Sequence, residues 1–217
     1  MKVTYGAIVQ RASGRFGGTV HSNWKGVDVV RRFAKPSNPN SALQQDVRNI
    51  FRNLTKMYTL LPTETKASWV SFAVGKPLIA RNKLVGVNVP LLQGEIDFGA
   101  MQPTPGDSST IPLADYNPTG GVAQITTTVT TPTIPAGWAI TGVVAVAIND
   151  AGAPGIPDPI TADLQMYEAI DLASAYTPNI TGLPAGTYYS WGFIKWLAPD
   201  GSVRYSAPLG AGSVVVT

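Results

Sequence analysis

Glycine and proline constrain the fold of this chain more than any other feature of its sequence. The 22 glycines and 18 prolines make up 40 of the 217 residues, which favours short strands joined by turns over a helical bundle. Thirteen of the prolines follow Gly94, and the only long helical pattern precedes it. We therefore predict an α+β N-terminal module of short β-hairpins and two helices, followed by an all-β immunoglobulin-like sandwich.

The helical pattern begins after Ser41. Asn40 or Ser41 can cap the first helix, because a side-chain oxygen can accept from an unpaired backbone N–H of the first turn. Pro62 ends this helix, Thr63 can cap a second, shorter one, and Lys76-Pro77 ends that. The apolar positions of the first helix recur at three- and four-residue steps: Leu43, Val47, Ile50, Phe51, Leu54, Tyr58 and Leu61.

The predicted strands lie on both sides of these helices. In the N-terminal module they are Val3 to Val9, Phe16 to Val20 and Val27 to Phe33, with a glycine turn at Trp24-Lys25-Gly26. In the C-terminal module, strands separated by turn residues fit an immunoglobulin-like count of about seven. These strands are Val122 to Thr130, Trp138 to Ile148, Leu164 to Leu172, Thr187 to Leu197, Ser202 to Pro208 and Ser213 to Thr217.

Charge divides the chain at the same place as proline content. Residues 1–94 contain 14 Lys and Arg against 3 Asp and Glu, a net charge of +11, whereas residues 95–217 contain 2 against 10, a net charge of −8. This asymmetry predicts two modules with different neighbours. We assign residues 1–94 to a basic anchoring module, residues 95–120 to a Pro/Gly-rich linker or extended arm, and residues 121–217 to the β-sandwich.

The basic module carries the candidate binding residues. Docking onto an acidic protein surface is the favoured interpretation, because complementary charge steers and orients assembly. A merely solvated charged surface is the second interpretation, and nucleic acid, bound through phosphates, is the third and the alternative partner. The candidate partner-binding residues are Arg11, Arg15, Lys25, Arg31, Arg32, Lys35, Arg48, Arg52 and Lys56.

Most enzyme classes lack their usual residues here. The chain has no cysteine and one histidine, His21, so a disulfide, a cysteine nucleophile and a multi-histidine metal site are excluded. No nucleophile elbow accompanies His21. We expect no enzymatic activity, no cofactor and no metal. We also expect no membrane partner, because the chain has neither a signal-peptide apolar region nor an apolar stretch that could span a bilayer.

Residues 10–75 combine several local features into one pattern. These features are the glycine-rich hairpin, the Trp24-Lys25-Gly26 turn with a following Val-Val-Arg, and the run from Lys35 to Pro39. A helix with Gln44 and Arg48, and Trp69 in a second helix, complete the pattern. The pattern resembles an uncharacterised family of phage and prophage virion structural proteins, which implies a virion structural component and no catalytic residue.

A second resemblance concerns the segment from Leu183 to Tyr189. It is similar to the corner before the sixth strand of fibronectin type III domains, which implies that the Tyr189 hydroxyl bonds to backbone upstream. Strand alternation then predicts that Trp191 and Phe193 point into the sandwich, with Ser190 and Gly192 outward.

The aromatic and acidic residues of the C-terminal module have weaker functional interpretations. A sugar-stacking surface would use Trp196 or Trp138, but core packing is favoured for the aromatic cluster. Calcium binding by acidic residues is disfavoured, because they lack the spacing of a calcium loop. The aromatic residues are Tyr188, Tyr189, Trp191, Phe193 and Trp196, and the acidic residues are Asp150, Asp158, Asp163, Glu168 and Asp171.

These observations predict a phage virion structural protein, made in the host cytoplasm. We expect an accessory capsid or decoration protein, present in many copies or as a homo-oligomer, that binds other virion proteins of the capsid, neck or tail through its basic N-terminal module. A collar, tail or fibre-attachment component is the alternative position, and a nucleic-acid-binding protein is the alternative function.

Overall fold

The computed structural model describes residues 12–24, 27–35, 37, 40–93, 95, 98–149, 164–172 and 175–217. The chain divides into two compact units, Met1–Asn40 and Ser41–Thr217. Helices and antiparallel sheets together make a mixed α+β fold, as predicted. The division differs from the predicted boundary, because the helices group with the C-terminal strands and not with the N-terminal hairpins.

The first unit contains one three-stranded antiparallel sheet in the order β1-β2-β3. Its strands are β1 (Gly14–Phe16), β2 (Thr19–Trp24) and β3 (Val27–Arg32). The β2–β3 hairpin confirms the predicted pairing, whereas the predicted strand from Phe16 to Val20 contains the turn between β1 and β2. Gly17 sits in that turn with a φ of 57°, which glycine adopts without strain. The predicted strand Val3 to Val9 lies outside the described residues.

The second unit begins with three helices: α1 (Ala42–Leu60), α2 (Thr63–Ala73) and α3 (Ala80–Leu92). The first helix and its Ser41 cap are confirmed, since the Ser41 hydroxyl accepts from the backbone N–H of Gln44. The predicted apolar face is confirmed only in part, because Leu43 and Phe51 are exposed. The second helix begins at Thr63 as predicted, but the Thr63 side chain does not cap it.

The sequence pattern did not predict α3. This helix contains Gly86 and Pro90, both of which weaken the helical signal in a sequence. Its buried side chains, among them Leu84 and Leu92, are mixed with exposed apolar ones such as Leu91. Because no single polar face separates from an apolar face, periodicity alone does not reveal the helix.

The remaining strands form two antiparallel sheets. A five-stranded sheet has the order β10-β9-β6-β7, with β11 also paired to β9, and a three-stranded sheet has the order β4-β5-β8. The strands are β4 (Asp115–Gly121), β5 (Gln124–Thr130), β6 (Ala139–Asn149), β7 (Met166–Asp171), β8 (Ile180–Thr181), β9 (Gly186–Leu197), β10 (Val203–Tyr205) and β11 (Leu209–Val216).

The five-stranded sheet is the middle layer of this unit. One face packs against the helices through a core that includes Leu54, Trp69, Ile148 and Trp191. The other face packs against the three-stranded sheet through a second core, which includes Ile125, Val143, Tyr188, Ile194 and Trp196. Burial on both faces explains why the helices and the strands form one compact unit.

Residues 98–120, which the sequence predicted as part of a linker, pack into the fold. Phe98 and Met101 are buried in the core beneath the helices, and Leu113 is buried between the two sheets. Strand β4 then begins at Asp115 and pairs along its whole length with β5. The proline and polar content of this segment suggested a solvated arm, but its few apolar residues anchor it on both sides.

The faces of β9 are opposite to the prediction. The tyrosine that bonds to backbone upstream is Tyr188 and not, as was predicted, Tyr189. Its hydroxyl donates to the carbonyl of Pro184 at 2.8 Å. Trp191 and Phe193 consequently face the helix side, while Ser190 is buried between the sheets. A shift of one residue moves every side chain of a strand to its other face.

Candidate functional site

Side chains of the N-terminal sheet are little buried where the structure describes them. Among the side chains described in residues 12–40, none is buried, and Phe16 keeps 82% of its surface exposed. Three short strands without a buried apolar face are marginally stable alone. This sheet therefore has the properties of an element that gains a partner on assembly.

Strand register sorts the side chains of this sheet into two faces. Arg15 lies opposite Val20, which lies opposite Arg31, so these three form one row across the strands. Ser22 lies opposite Val29 on the same face. We call this surface the arginine–valine face, and it consists of Arg15, Val20, Ser22, Val27, Val29 and Arg31, with Phe33 beside Arg15.

Two cations border the valines of the arginine–valine face. The Arg15 guanidinium stacks over the Phe33 ring at 3.9 Å from its centroid, and its Nε donates to the carbonyl of Gly17 at 3.0 Å. These contacts hold the Arg15 side chain across the sheet. Arg31 is exposed on the far side of Val20. Its backbone lies two strand spacings, or ~10 Å, from that of Arg15.

The opposite face of the sheet is more polar. His21 lies opposite Val30 there, and the amide of Asn23 donates to the carboxylate of Asp28 at 2.9 Å. Phe16 and Arg32 flank Thr19 on this face. Arg31 and Arg32 are adjacent in sequence, so they provide one exposed cation to each face.

The predicted partner-binding residues lie in the first unit, in α1 of the second unit, or outside the described residues. The structure brings Arg15 and Arg31 together on the arginine–valine face, places Arg32 on the opposite face, and leaves Lys35 exposed after β3. Arg48, Arg52 and Lys56 are exposed at four-residue steps along α1, which belongs to the second unit. Arg11 and Lys25 lie outside the described residues.

The boundary at Asn40 changes the charge distribution between the modules. Residues 1–40 contain seven Lys and Arg and one Asp, a net charge of +6, and residues 41–217 contain nine Lys and Arg and twelve Asp and Glu, a net charge of −3. The first unit is thus strongly basic for its size. The helices carry the rest of the basic charge within the second unit.

A polar cluster joins α2 to the five-stranded sheet. The Lys195 ammonium contacts a carboxylate oxygen of Glu64 at 2.9 Å, and the Tyr205 hydroxyl donates to the other oxygen at 2.8 Å. Burial and the Glu64 carboxylate raise the pKa of Tyr205. Glu168 accepts from the backbone N–H groups of Glu64 and Thr65. Because each of these groups has a partner inside the fold, we interpret the cluster as a contact that holds α2 on the sheet.

The aromatic residue of β9 considered for sugar stacking is buried in the fold. Trp196 is 1% exposed and its indole N–H donates to the carbonyl of Ile111 at 3.1 Å, so the sugar-stacking interpretation of Trp196 is wrong. Trp138, which is half-buried, meets the Trp196 ring edge-on at 6.0 Å.

Two of the five acidic residues of the calcium interpretation, Glu168 and Asp171, lie among the described residues, and both accept hydrogen bonds within the fold. Glu168 caps α2, and Asp171 accepts from the backbone N–H of Thr177 at 2.6 Å. Asp150, Asp158 and Asp163 lie outside the described residues. Within the described ranges, no cluster of three or more His, Cys, Asp and Glu residues could hold a metal ion. None of the helices that the structure describes combines the length and apolar character needed to cross a bilayer.

No protein-family model matches this chain, and comparison with curated proteins gives no match. The case for a function therefore depends on the chemistry of the chain itself. The arginine–valine face is the best candidate site, since it combines exposed cations, apolar side chains and a sheet that lacks a core of its own.

Proposed function

We propose that this protein is a structural component of a multi-protein assembly and that the arginine–valine face docks it onto its neighbour. One observation carries the proposal: the described part of residues 12–40 forms a paired sheet without a buried side chain. A partner surface would cover the valines and Phe33 and remove their apolar area from water. Arg15 and Arg31 would meet acidic groups at the border of that contact.

The resemblance of residues 10–75 to phage structural proteins supports a virion as the assembly. In this proposal the protein is an accessory capsid or decoration protein, seated through its first unit. The second unit is an immunoglobulin-like domain with helices added to one face. Its tyrosine corner at Tyr188, with the hydroxyl on the Pro184 carbonyl, supports that assignment. A collar, tail or fibre-attachment position would use the same docking chemistry.

Nucleic acid is the second candidate partner, because residues 1–40 carry a net charge of +6. Binding to phosphates would not require the valines, whereas a protein partner would use them together with the arginines. A titration with duplex DNA across a salt series separates the two. Steep loss of tight binding as salt rises would favour nucleic acid, and absence of binding at low salt would exclude it.

The proposal is tested by adding purified full-length protein to phage particles that lack it and measuring the fraction that sediments with them. Arg31→Ala and Arg32→Ala form a matched pair, since the residues are adjacent and exposed on opposite faces. We expect Arg31→Ala to weaken association about tenfold or more and Arg32→Ala to have a small effect. Equal effects of the two substitutions, or failure of the unsubstituted protein to sediment, would overturn the proposal.

A further inference from the structure

The connection between α2 and α3 exposes apolar side chains on the second unit. Val74, Leu78 and Ile79 keep 75%, 51% and 56% of their surface exposed. All three lie within one short stretch between the end of α2 and the start of α3. Clustered apolar side chains of this size mark contact sites more often than isolated ones do.

The charge around this connection has one sign. Residues 66–93 contain Lys66, Lys76, Arg81 and Lys83 and no Asp or Glu. Among the described acidic residues, Asp107 interacts electrostatically with Lys76, and its carboxylate is engaged by Ser109 and lies 4.0 Å from Arg204. The surface therefore keeps a positive potential beside its apolar side chains.

Two lysines converge on one aromatic ring in a first recess. The Lys76 ammonium lies 3.1 Å from the centroid of the Phe72 ring, and that of Lys83 lies 5.3 Å from it. Ala73 and Leu78 complete the lining of this recess, whose volume is about 180 Å³. An acidic side chain entering here would meet two ammonium groups beside an apolar wall.

A second recess repeats the combination with other residues. The Lys66 ammonium lies 5.3 Å from the centroid of the Tyr58 ring, and Arg81 lines the same recess. Ile79 and Ala80 supply its apolar lining, and its volume is about 440 Å³. Each recess thus combines an aromatic ring, two cations and an aliphatic side chain from the α2–α3 connection.

We propose that this surface, the α2–α3 patch, binds an extended acidic segment of a neighbouring protein. The patch consists of Tyr58, Lys66, Phe72, Lys76, Leu78, Ile79, Arg81 and Lys83. Carboxylates of the segment would pair with the lysines and Arg81, and its apolar side chains would cover Leu78 and Ile79. The charge complementarity selects an acidic partner, and the exposed aliphatic side chains select a protein over a nucleic acid.

The α2–α3 patch lies in the second unit, so it would act in addition to the arginine–valine face of the first. A protein with two docking surfaces can join two neighbours in an assembly. The two surfaces share no residue. Failure of one proposal therefore leaves the other to be judged by its own experiment.

The test measures binding of a labelled synthetic peptide of alternating glutamate and leucine to the full-length protein by fluorescence anisotropy. We expect saturable binding that weakens as salt rises, and about tenfold weaker binding to a Lys76→Ala/Lys83→Ala variant. Arg48→Ala/Arg52→Ala is the matched control, since it removes two exposed charges from α1 outside the patch. Thermal unfolding of each variant checks that the fold is retained.

Three results would contradict the proposal. An equal loss of peptide affinity in the two double variants would show that the net charge of the protein attracts the peptide without a specific site. Equal binding of a peptide with serine in place of leucine would show that the apolar side chains have no role. Tighter binding of duplex DNA than of the acidic peptide, lost in the Lys76→Ala/Lys83→Ala variant, would assign the patch to nucleic acid.

Discussion

Glu168 in β7 caps the N-terminus of α2 through Thr65, 103 residues away in the sequence. One carboxylate oxygen accepts from the Thr65 backbone N–H at 2.8 Å and from the Thr65 hydroxyl at 2.7 Å, while the other accepts from the Glu64 N–H at 2.9 Å. Negative charge at this end of a helix is favourable, since the unpaired N–H groups point toward it. This contact fastens the helical layer to the sheet.

Replacing Glu168 with alanine is expected to destabilise the second unit by about 2 kcal/mol, because two partly buried helix N–H groups and the Thr65 hydroxyl lose their acceptor. Glu168→Gln should cost less, since one amide oxygen still accepts. Urea unfolding measures both. Glu95→Ala is the control, as Glu95 is exposed. Equal stability of Glu168→Ala and Glu95→Ala would show that the cap contributes nothing.

Gly192 in β9 permits close packing of the two sheets. A Cβ at this position would lie 2.4 Å from the Tyr116 ring and 2.8 Å from Leu113. We expect Gly192→Ala to destabilise the protein by about 2 kcal/mol or more, because the buried ring must move. Gly86→Ala in α3 has open space and should stabilise by about 0.5 to 1 kcal/mol. Thermal unfolding compares the two variants. Similar melting temperatures of Gly192→Ala and Gly86→Ala would contradict the close packing of the two sheets at Gly192.

The tyrosine corner gives a test of the strand register. Tyr188→Phe removes the hydrogen bond to the Pro184 carbonyl and should cost about 1 kcal/mol, which urea unfolding can measure. Tyr58→Phe is the comparison, because the Tyr58 hydroxyl makes no hydrogen bond to the described residues and should change stability little. A larger loss of stability for Tyr58→Phe than for Tyr188→Phe would contradict a stabilising hydrogen bond from Tyr188 to the Pro184 carbonyl.

Burial raises the pKa of Tyr116 to about 12 from the ordinary value of 10.0, although its bond to Ser190 opposes the shift. The unfolded chain therefore ionises Tyr116 at lower pH than the folded protein does. Its contribution to stability is present below about pH 10 and is lost as pH rises through 12, by about 3 kcal/mol in all.

Urea unfolding at about pH 8 and about pH 11 measures this loss. Tyr116→Phe should be less stable at the lower pH, since it loses the bond to the Ser190 hydroxyl, yet it should lose less stability between the two. Tyr188 and Tyr205, whose pKa values are also raised, retain part of the pH dependence in the variant. An identical decline in both proteins would contradict the assignment to Tyr116.

The sequence predicts those elements that have one buried face and one solvated face. α1 has this pattern: its helical span was predicted, and Ser41, one of the two predicted caps, caps it. The middle strands do not: residues from Val143 to Ile148 are all fully buried, so alternation cannot tell which side chains face the helices. The assignment of β9 to the wrong faces has the same cause.

The predicted boundary differs from the division of the structure for a related reason. Composition changes near Gly94, but packing follows the apolar residues, and Phe98 and Met101 lie in the same core as the helices. The α2–α3 patch was missed because its four cations were counted within a basic half of the chain. The absence of Asp and Glu from residues 66–93 was the signal that could have revealed it.

Amide hydrogen exchange of β2 and β3 tests most directly whether the N-terminal sheet is completed by a partner. In the purified full-length protein, we expect residues 19–24 and 27–32 to exchange far faster than the buried strands β6 and β9. When the protein is bound to particles, exchange in β2 and β3 should slow by about a hundredfold or more, because bound partners stabilise the covered sheet. Equal exchange of these strands in the free and bound protein would contradict docking through the arginine–valine face.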